Sequence, residues 1–220
     1  MSIDISFYTR QIGLIDPEKL TQKIAIIGAG GIGSWTTLAL LKMGCQHISV
    51  FDFDKVEEHN IGSQLYGIGD IGKTKVQAVI DRLQSLTELL PTVIEKELTP
   101  ENIAETLSDF DIVISAVDSI DVRRDLYSHL PSSVKWFIDG RMAGNAIEIY
   151  TINNPTDMEF YDTTLFKDTD SLPVACSASS VIYNTFVISG LIADIISQIT
   201  NEKVPPKELV IDLTNFKIYG

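Results

Sequence analysis

The chain has 220 residues, of which 45% are hydrophobic and 21% are charged. This balance is typical of a folded globular protein, and the length suits one domain whose core needs no disulfides. The formal net charge is −13, whereas nucleic-acid binding requires a basic surface, so we expect no nucleic-acid partner. Cys45 and Cys176 form no CxxC pair, which predicts neither a disulfide framework nor a zinc site. The first ten residues lack the basic start and apolar core of a signal peptide, so we expect a cytoplasmic protein.

Alternating apolar segments predict an α/β fold. Short β-branched runs predict buried strands, and apolar residues at helical spacing predict helices. The predicted strands are residues 23–27, 48–51, 92–96, 110–115, 134–139, 146–152, 207–213 and 216–219. The predicted helices are residues 32–43, 73–86, 100–107, 122–130 and 181–199. The last helix is almost long enough to span a membrane, but Asn184 and Asp194 favour a buried or dimer-interface helix instead.

A glycine-rich turn joins the first strand to the first helix. Its glycines have GxGxxG spacing with one extra glycine: Gly28, Gly30, Gly31 and Gly33. Without a Cβ, backbone N–H groups can approach an anion, and the start of a helix favours negative charge. Asp52 and Asp54 end the second strand, where an acid is placed to accept hydrogen bonds from a ribose. Strand, turn, helix, strand and acid in this order predict a nucleotide site.

The segments after Asp54 distinguish the chain from a dehydrogenase. In order, the sequence reads GAGGIGS, DFDKV, HNIGSQ and GKTK. This order resembles the MoeB/ThiF/HesA family, the activating enzymes of ubiquitin-like and sulfur-carrier proteins, and the DGRM step resembles a bacterial and phage-type subset of it. The resemblance implies a Rossmann-like three-layer α/β fold with a largely parallel central sheet extended by antiparallel strands. It implies one adenylation domain over residues 1–220, with an N-terminal arm at 1–22 and a crossover-type loop at 153–175.

The resemblance also implies a binding site for Mg-ATP. Asp118 would bind the magnesium ion, and Lys75 would contact the phosphates. The other implied nucleotide contacts are Gly28, Gly30, Gly31, Gly33, Asp52, Asp54, Asn60, Ser63, Gln64 and Ser119. Ser63 departs from the family pattern, in which an arginine stands there, so one positive charge is missing. From the residues alone, either Asp118 or Ser119 fits the N-cap of the helix that follows, whereas Lys75 opposes its own helix dipole unless a phosphate is bound.

Two arginines are candidates for additional charge at the phosphates. Arg10 lies in YTRQ, which resembles the family segment whose second arginine reaches the partner subunit's ATP site, so the resemblance implies a homodimer. From the pattern alone, Arg10 is equally a solvated surface charge. We expect Arg141 in a turn over residues 140–145, where it would offset the charge missing at Ser63. A guanidinium suits this role because it binds phosphate oxygens in pairs and stays charged. Arg123 is expected to be structural.

Residues 153–172 are polar and rich in turn residues, which predicts a loop. Its aromatic residues Phe160, Tyr161 and Phe166 either pack on the core or hold an incoming peptide. Cys176 follows, ahead of the last helix, where a thiol pKa is lowered; a free cysteine is more often a small buried hydrophobe. The family has a cysteine at the matching position, and some members bond it to the carrier, so Cys176 is a candidate nucleophile.

The implied function is ATP-dependent adenylation of the C-terminal carboxylate of a ubiquitin-like or sulfur-carrier protein that commonly ends in Gly-Gly, with acyl transfer to Cys176 as an optional second step. The implied cofactors are ATP and Mg²⁺, and no zinc is expected. Two alternatives stay open. One is a degenerate nucleotide-binding scaffold of the same fold, suggested by Ser63. The other is an NAD-dependent Rossmann oxidoreductase, which the glycines and Asp52 fit but no later residues support.

Overall fold

The fold is described from a computed structural model over residues 3–153, 155–165 and 181–220. Within these residues, eight strands form one sheet in the order β3–β2–β1–β4–β5–β6–β7–β8. The strands are β1 Lys23–Ile27, β2 His47–Phe51, β3 Thr92–Ile94, β4 Ile112–Ser115, β5 Trp136–Ala143, β6 Ala146–Ile152, β7 Glu208–Asp212 and β8 Lys217–Tyr219. Strands β1 to β5 are parallel, and β6 to β8 extend them in antiparallel fashion. The predicted sheet is confirmed.

Helices cover both faces of this sheet. The described helices are α1 Gly31–Met43, α2 Lys75–Leu83, α3 Ile103–Thr106, α4 Ile120–Ser128, α5 Pro155–Asp162 and α6 Ile182–Thr200. Helices α1, α2 and α6 share one apolar cluster with the sheet, and α3, α4 and α5 share the other. The predicted three-layer arrangement is therefore confirmed.

Strand β1 sits at the centre of this arrangement and is buried on both faces. Ile24 and Ile26 belong to one cluster, whereas Ala25 and Ile27 belong to the other, which explains the unbroken apolar run in the sequence. Strands β2 and β3 lie on one side of β1, and β4 and β5 lie on the other. The strand order therefore reverses between β1 and β4. In open α/β sheets, ligands bind at such a point, outside the carboxyl ends of the strands.

The predicted turn over residues 140–145 is wrong for most of its length. Strand β5 continues to Ala143, and Arg141 lies within it, opposite Glu148 of β6. A Cβ on Gly140 would lie 3.2 Å from a methyl carbon of each of two isoleucines of α6. Close packing of a helix on the strand therefore explains this glycine, which the sequence pattern indicated as part of a turn.

The predicted loop over residues 153–172 is also wrong in part, because it contains helix α5. Tyr161 of α5 is fully buried and lies edge-on to Tyr127 and Phe137, with ring centroids 4.6 and 5.5 Å apart. Packing on the core is therefore the outcome for this aromatic residue. Phe166 lies outside the described residues.

Helix α6 is long and apolar enough to cross a membrane by length and composition alone. Some of its polar residues are nevertheless packed in the protein interior, whereas Asp194 is exposed. Asn184 is fully buried and donates a hydrogen bond to the Gly144 carbonyl, and Ser189 accepts one from Thr36 of α1 at 3.2 Å. These contacts bury one side of the helix, as predicted, whereas Tyr183 and Phe186 on it are exposed, so the dimer-interface alternative stays a prediction.

Candidate functional site

The glycine turn lies at the carboxyl end of β1 and is shaped by two close backbone approaches. Gly28 has φ +98°, and a Cβ there would lie 2.7 Å from the Ala116 carbonyl oxygen. A Cβ on Gly33 would lie 1.8 Å from the Gly28 carbonyl oxygen. By contrast, the nearest atom to a Cβ on Gly30 would be Gln64 Nε2, at 4.0 Å. The fold thus requires glycine at 28 and 33, whereas the space at Gly30 is open to a ligand.

The start of helix α1 adds free donors to this turn. Gly30 is the N-cap and Gly31 the first helical residue, and no side chain of the described residues caps the helix. The first N–H groups of an uncapped helix lack partners within the helix, and the positive end of its dipole faces the same way. This arrangement fits the phosphates of a nucleotide.

Asp52 fixes the glycine turn to the end of β2. Its side chain is 8% exposed. One carboxylate oxygen accepts the Ala29 N–H and the other accepts the Asp54 N–H, each at 2.7 Å. The carboxylate thus lies beside the turn, as a ribose ligand would, and that role stays a prediction.

Lys75 lies in the first turn of α2 and pairs with both acids. Its Nζ is 2.8 Å from Asp54 Oδ2 and 3.9 Å from Asp52 Oδ2. These carboxylates offset the unfavourable position of a cation at a helix N-terminus, so a bound phosphate is not needed to explain Lys75. Because Asp52 is hydrogen-bonded to the glycine turn, the Lys75 ammonium group beside it also lies near that turn. Contact of Lys75 with phosphates stays a prediction.

The loop over residues 57–72 passes above the glycine turn. Asn60 is buried and accepts the Glu57 N–H at 2.9 Å, which shapes the loop. Ser63 is buried, and its carbonyl accepts the Trp35 Nε1–H at 3.0 Å. Gln64 Oε1 is buried and has no hydrogen-bond partner in the described part of the chain. An unpartnered amide oxygen, on the side chain whose Nε2 lies 4.0 Å from the Cβ position at Gly30, fits a site that a donor group of a ligand completes.

Sequence reasoning missed Tyr66 in this loop. Tyr66 is 4% exposed, and its hydroxyl donates a hydrogen bond to the Ala29 carbonyl. Burial, followed by the nearby charge of Asp52, raises the pKa of Tyr66, so the phenol stays a donor at neutral pH. Its only sequence signal is an aromatic residue soon after Gln64, which does not distinguish a positioning contact from ordinary packing.

A buried acid anchors the far end of the same loop. Asp70 is 2% exposed and accepts hydrogen bonds from Arg82 Nε, from the Gly67 N–H at 2.9 Å and from Lys73 Nζ at 3.1 Å. Burial by itself raises the pKa of Asp70, but these hydrogen bonds outweigh it and hold the pKa below its ordinary value.

Asp118 lies just beyond the carboxyl end of β4 with its carboxylate exposed. Ser119 is the N-cap of α4, since its Oγ accepts the Val122 N–H at 3.4 Å. Of the two residues that the sequence allowed as the N-cap, Ser119 therefore caps the helix. Asp118 has no hydrogen bond or ion pair within the described residues. Ala116, two residues earlier, contacts the glycine turn. The structure thus brings a free carboxylate next to that turn.

Behind Asp118 lies a buried ionic network centred on Asp139, which sequence reasoning did not identify. Asp139 has no exposed surface. It pairs with Arg123 and with Arg141 Nε, the latter at 2.7 Å, and accepts the Tyr161 hydroxyl at 3.0 Å. Arg123 is 4% exposed, in agreement with the structural role expected for it.

Arg141 does not lie in the predicted turn facing the phosphates. Its guanidinium is buried, donates to the Thr164 carbonyl at 3.0 Å and Oγ1 at 3.1 Å, and lies 4.4 Å from the ring centroid of Tyr150. The nearby charge of Asp139 and its hydrogen bond overcome the effect of burial and raise the pKa of Arg141. Its positive charge is therefore engaged by Asp139, and a role at the phosphates stays a prediction without positional support.

Two further predicted residues are not brought into the site. Arg10 is exposed on the N-terminal arm and has no partner within the described residues, so its action across a dimer stays a prediction. Cys176 lies outside the described residues.

Comparison with curated proteins finds relatives that match about half of this chain. The probable adenylyltransferase/sulfurtransferase MoeZ of Mycobacterium tuberculosis is 31% identical over 128 residues, which cover 54% of this chain and 33% of MoeZ. The tRNA threonylcarbamoyladenosine dehydratase of Haemophilus influenzae is 32% identical over 123 residues, which cover 53% of this chain and 47% of the relative. The matches thus span between about a third and a half of the relatives' length.

Comparison with solved structures shows the same fold. PaaA matches with a TM-score of 0.78 and 23% identity, over 98% of this chain and 72% of PaaA. Escherichia coli MccB in complex with MccA matches with a TM-score of 0.79 and 16% identity, over 99% and 71% of the two chains. E. coli TcdA matches with a TM-score of 0.69 and 18% identity, over 90% and 95%. The ThiF family pattern matches residues 8–219, nearly the whole chain, so this protein is a member of the ThiF family.

Proposed function

We propose that this protein is an ATP-dependent adenylyltransferase that activates the C-terminal carboxylate of a ubiquitin-like or sulfur-carrier protein. The observation that carries the proposal is the exposed Asp118 carboxylate, which has no partner among the described residues, beside a glycine-rich helix start that none of their side chains caps, at the strand-order reversal. The adenylyltransferase relative named above supports the class of reaction.

The residues at this site fit Mg-ATP. The open position at Gly30 and the first turn of α1 would receive the phosphates, and Asp52 would accept hydrogen bonds from the ribose. Asp118 would hold magnesium, which keeps most of its ligands as waters and phosphate oxygens and so needs few carboxylates. Bound magnesium would neutralise charge on the phosphate oxygens.

In the proposed reaction, a carboxylate oxygen of the carrier attacks the α-phosphorus of ATP. The bond to the β-phosphate oxygen breaks, pyrophosphate leaves, and an acyl adenylate forms. A carboxylate is already a nucleophile and needs no general base, so the protein acts by positioning and charge neutralisation. Lys75 would exchange its contact with Asp54 for a phosphate oxygen as the nucleotide enters.

The proposal extends to a cytoplasmic homodimer in which Arg10 of one subunit reaches the phosphates of the other. The position of Arg10 on an exposed arm, without an internal partner among the described residues, is compatible with this role. Acyl transfer to Cys176 is a second step that the proposal allows and that adenylation does not require.

The test is a thermal-shift comparison of wild type, Asp118→Asn and a matched control, Asp121→Asn, with Mg-ATP and with NAD. Asp121 is an exposed acid at the second position of α4, the helix that follows Asp118. A ligand at a hundred times its dissociation constant adds about 2.7 kcal/mol, which for a domain of this size raises the melting temperature by roughly 5–11 °C. We expect a shift with Mg-ATP in wild type and Asp121→Asn that is reduced in Asp118→Asn.

A second assay, ATP–pyrophosphate exchange with a carrier ending in Gly-Gly, tests the reaction itself. Exchange that depends on the carrier and is lost in Asp118→Asn supports adenylation. ATP binding without exchange would instead indicate the degenerate scaffold, and a shift with NAD alone would indicate an oxidoreductase.

A further inference from the structure

The turn that presents Asp118 is held from below by a buried arginine. Strand β4 ends at Ser115, and the Ala116 N–H donates to the Ile27 carbonyl at 2.8 Å. The next carbonyl, that of Val117, accepts a hydrogen bond from Arg123 Nη2. This carbonyl belongs to the peptide bond that joins Val117 to Asp118, so Arg123 fixes the orientation of the peptide immediately before the carboxylate.

We propose that Arg123, oriented by Asp139, is a positioning residue that fixes the Val117–Asp118 peptide and thereby sets where the Asp118 carboxylate meets a bound divalent cation. For the cation, this inference rests on the proposed function.

Arg123 connects three parts of the fold at once. It lies in the first turn of α4, and while Nη2 binds the Val117 carbonyl, Nη1 pairs with Asp139 and donates to the Gly140 carbonyl at 3.0 Å. A planar guanidinium has several donors in a fixed fork and can make these contacts together. A lysine has a single terminal nitrogen, so it cannot reproduce all of these contacts.

Asp139 determines which way this guanidinium points. It is fully buried and is itself held by Arg141 and by the Tyr161 hydroxyl of α5. A fixed carboxylate therefore orients Arg123, Arg123 orients the Val117 carbonyl, and the carbonyl precedes the proposed metal ligand. Partners that orient a metal ligand in this way typically change metal affinity about 10- to 100-fold when they are removed.

The neighbouring Arg124 supplies a matched control. It lies on the same helix turn but is partly exposed, pairs with Asp121 and donates to the Leu165 carbonyl at 2.9 Å. Within the described residues Arg124 does not contact the turn at residues 116–118, so its loss removes a charge of the same kind and leaves that turn in place.

The experiment compares Arg123→Met, Arg123→Lys and Arg124→Met by two readouts. The first is hydrogen exchange, by mass spectrometry, of the peptide covering residues 116–119 in the protein without ligand. The second is the magnesium concentration that gives half of the ATP-induced thermal shift, together with ATP binding in EDTA. Arg123→Lys retains the charge opposite Asp139 and serves as the second variant if Arg123→Met does not fold.

In Arg123→Met we expect faster hydrogen exchange at residues 116–119, a magnesium requirement raised about 10- to 100-fold and unchanged ATP binding in EDTA. Arg123→Lys should recover part of both effects, and Arg124→Met should change neither. Unchanged exchange at this turn in both Arg123 variants would overturn the inference, as would faster exchange with an unchanged magnesium requirement. If wild type shows no ATP-induced thermal shift, the proposed function fails, and the hydrogen-exchange readout alone decides whether Arg123 fixes the turn.

Discussion

Replacing Asp139 by asparagine should strongly destabilise the fold. The substitution keeps the size of the side chain but leaves Arg123 and Arg141, both nearly buried, without the carboxylate that they share. Removal of one partner of a buried ion pair typically costs about 3–5 kcal/mol, because the other charge stays buried and uncompensated. For a domain of this size each kcal/mol lowers the melting temperature by about 2–4 °C, so we expect a fall of roughly 6–20 °C.

Equilibrium unfolding in urea, with Asp111→Asn as the control, measures this effect. Asp111 pairs with Lys135 at 2.9 Å at the surface, where such a pair contributes at most about 1 kcal/mol. The double variant Asp139→Asn/Arg141→Met removes one stranded charge and should recover part of the loss, which gives a measurable coupling energy. A loss for Asp139→Asn no larger than that for Asp111→Asn would refute the assignment of this network as the support of the fold.

Three other experiments test the site and its loop. Gly33→Ala should prevent correct folding because its Cβ would lie 1.8 Å from a backbone oxygen, whereas Gly30→Ala should cost under about 1 kcal/mol of stability yet weaken ATP binding. Thermal unfolding with and without ATP separates the two variants, and retained ATP affinity in Gly30→Ala would contradict the phosphate assignment. Mixing inactive Arg10→Ala and Asp118→Asn proteins should restore about a quarter of wild-type exchange activity if subunits reassort into symmetric dimers, and no recovery would refute action across the dimer. Because the pKa of Asp70 is lowered in the folded state, its stabilising effect is present above the unfolded pKa of about 3.9 and is lost as the pH falls further. The difference in unfolding free energy between wild type and Asp70→Asn should therefore shrink from pH 6 to about pH 3, and a constant difference would rule this out.

The sequence predicts most of the layer structure because local signals determine it. Strand β1 is an unbroken apolar run, and helix α1 ends where Gly44 adopts φ +102°. The glycine spacing likewise predicts the nucleotide turn, since the close approaches at Gly28 and Gly33 exclude every other residue. These features depend on residues that are near one another in the chain.

The ionic network behind Asp118 has no comparable signal. It joins Arg123 of α4, Asp139 and Arg141 of β5 and Tyr161 of α5, which are up to 38 residues apart in the sequence. Asp139 and Arg141 lie two residues apart and share one face because β5 continues through Gly140, but a glycine–arginine step there looks like a turn. The pairing of long side chains across three elements follows from packing, and the residue pattern alone does not specify it.

The distribution of charge explains why the proposed site needs help to bind a polyanion. Asp52, Asp54 and Asp118 lie around the glycine turn, and the Lys75 ammonium group already pairs with two of these carboxylates. Ser63 carries no charge where the family pattern has an arginine. The two buried guanidinium groups nearby are already engaged by Asp139. The charge that neutralises the triphosphate must therefore come from the start of α1, from Lys75 and from groups that one copy of the described residues does not supply. A magnesium ion at Asp118 and Arg10 of a second copy are the two that the proposal supplies, so each should matter more here than in a relative that keeps the arginine.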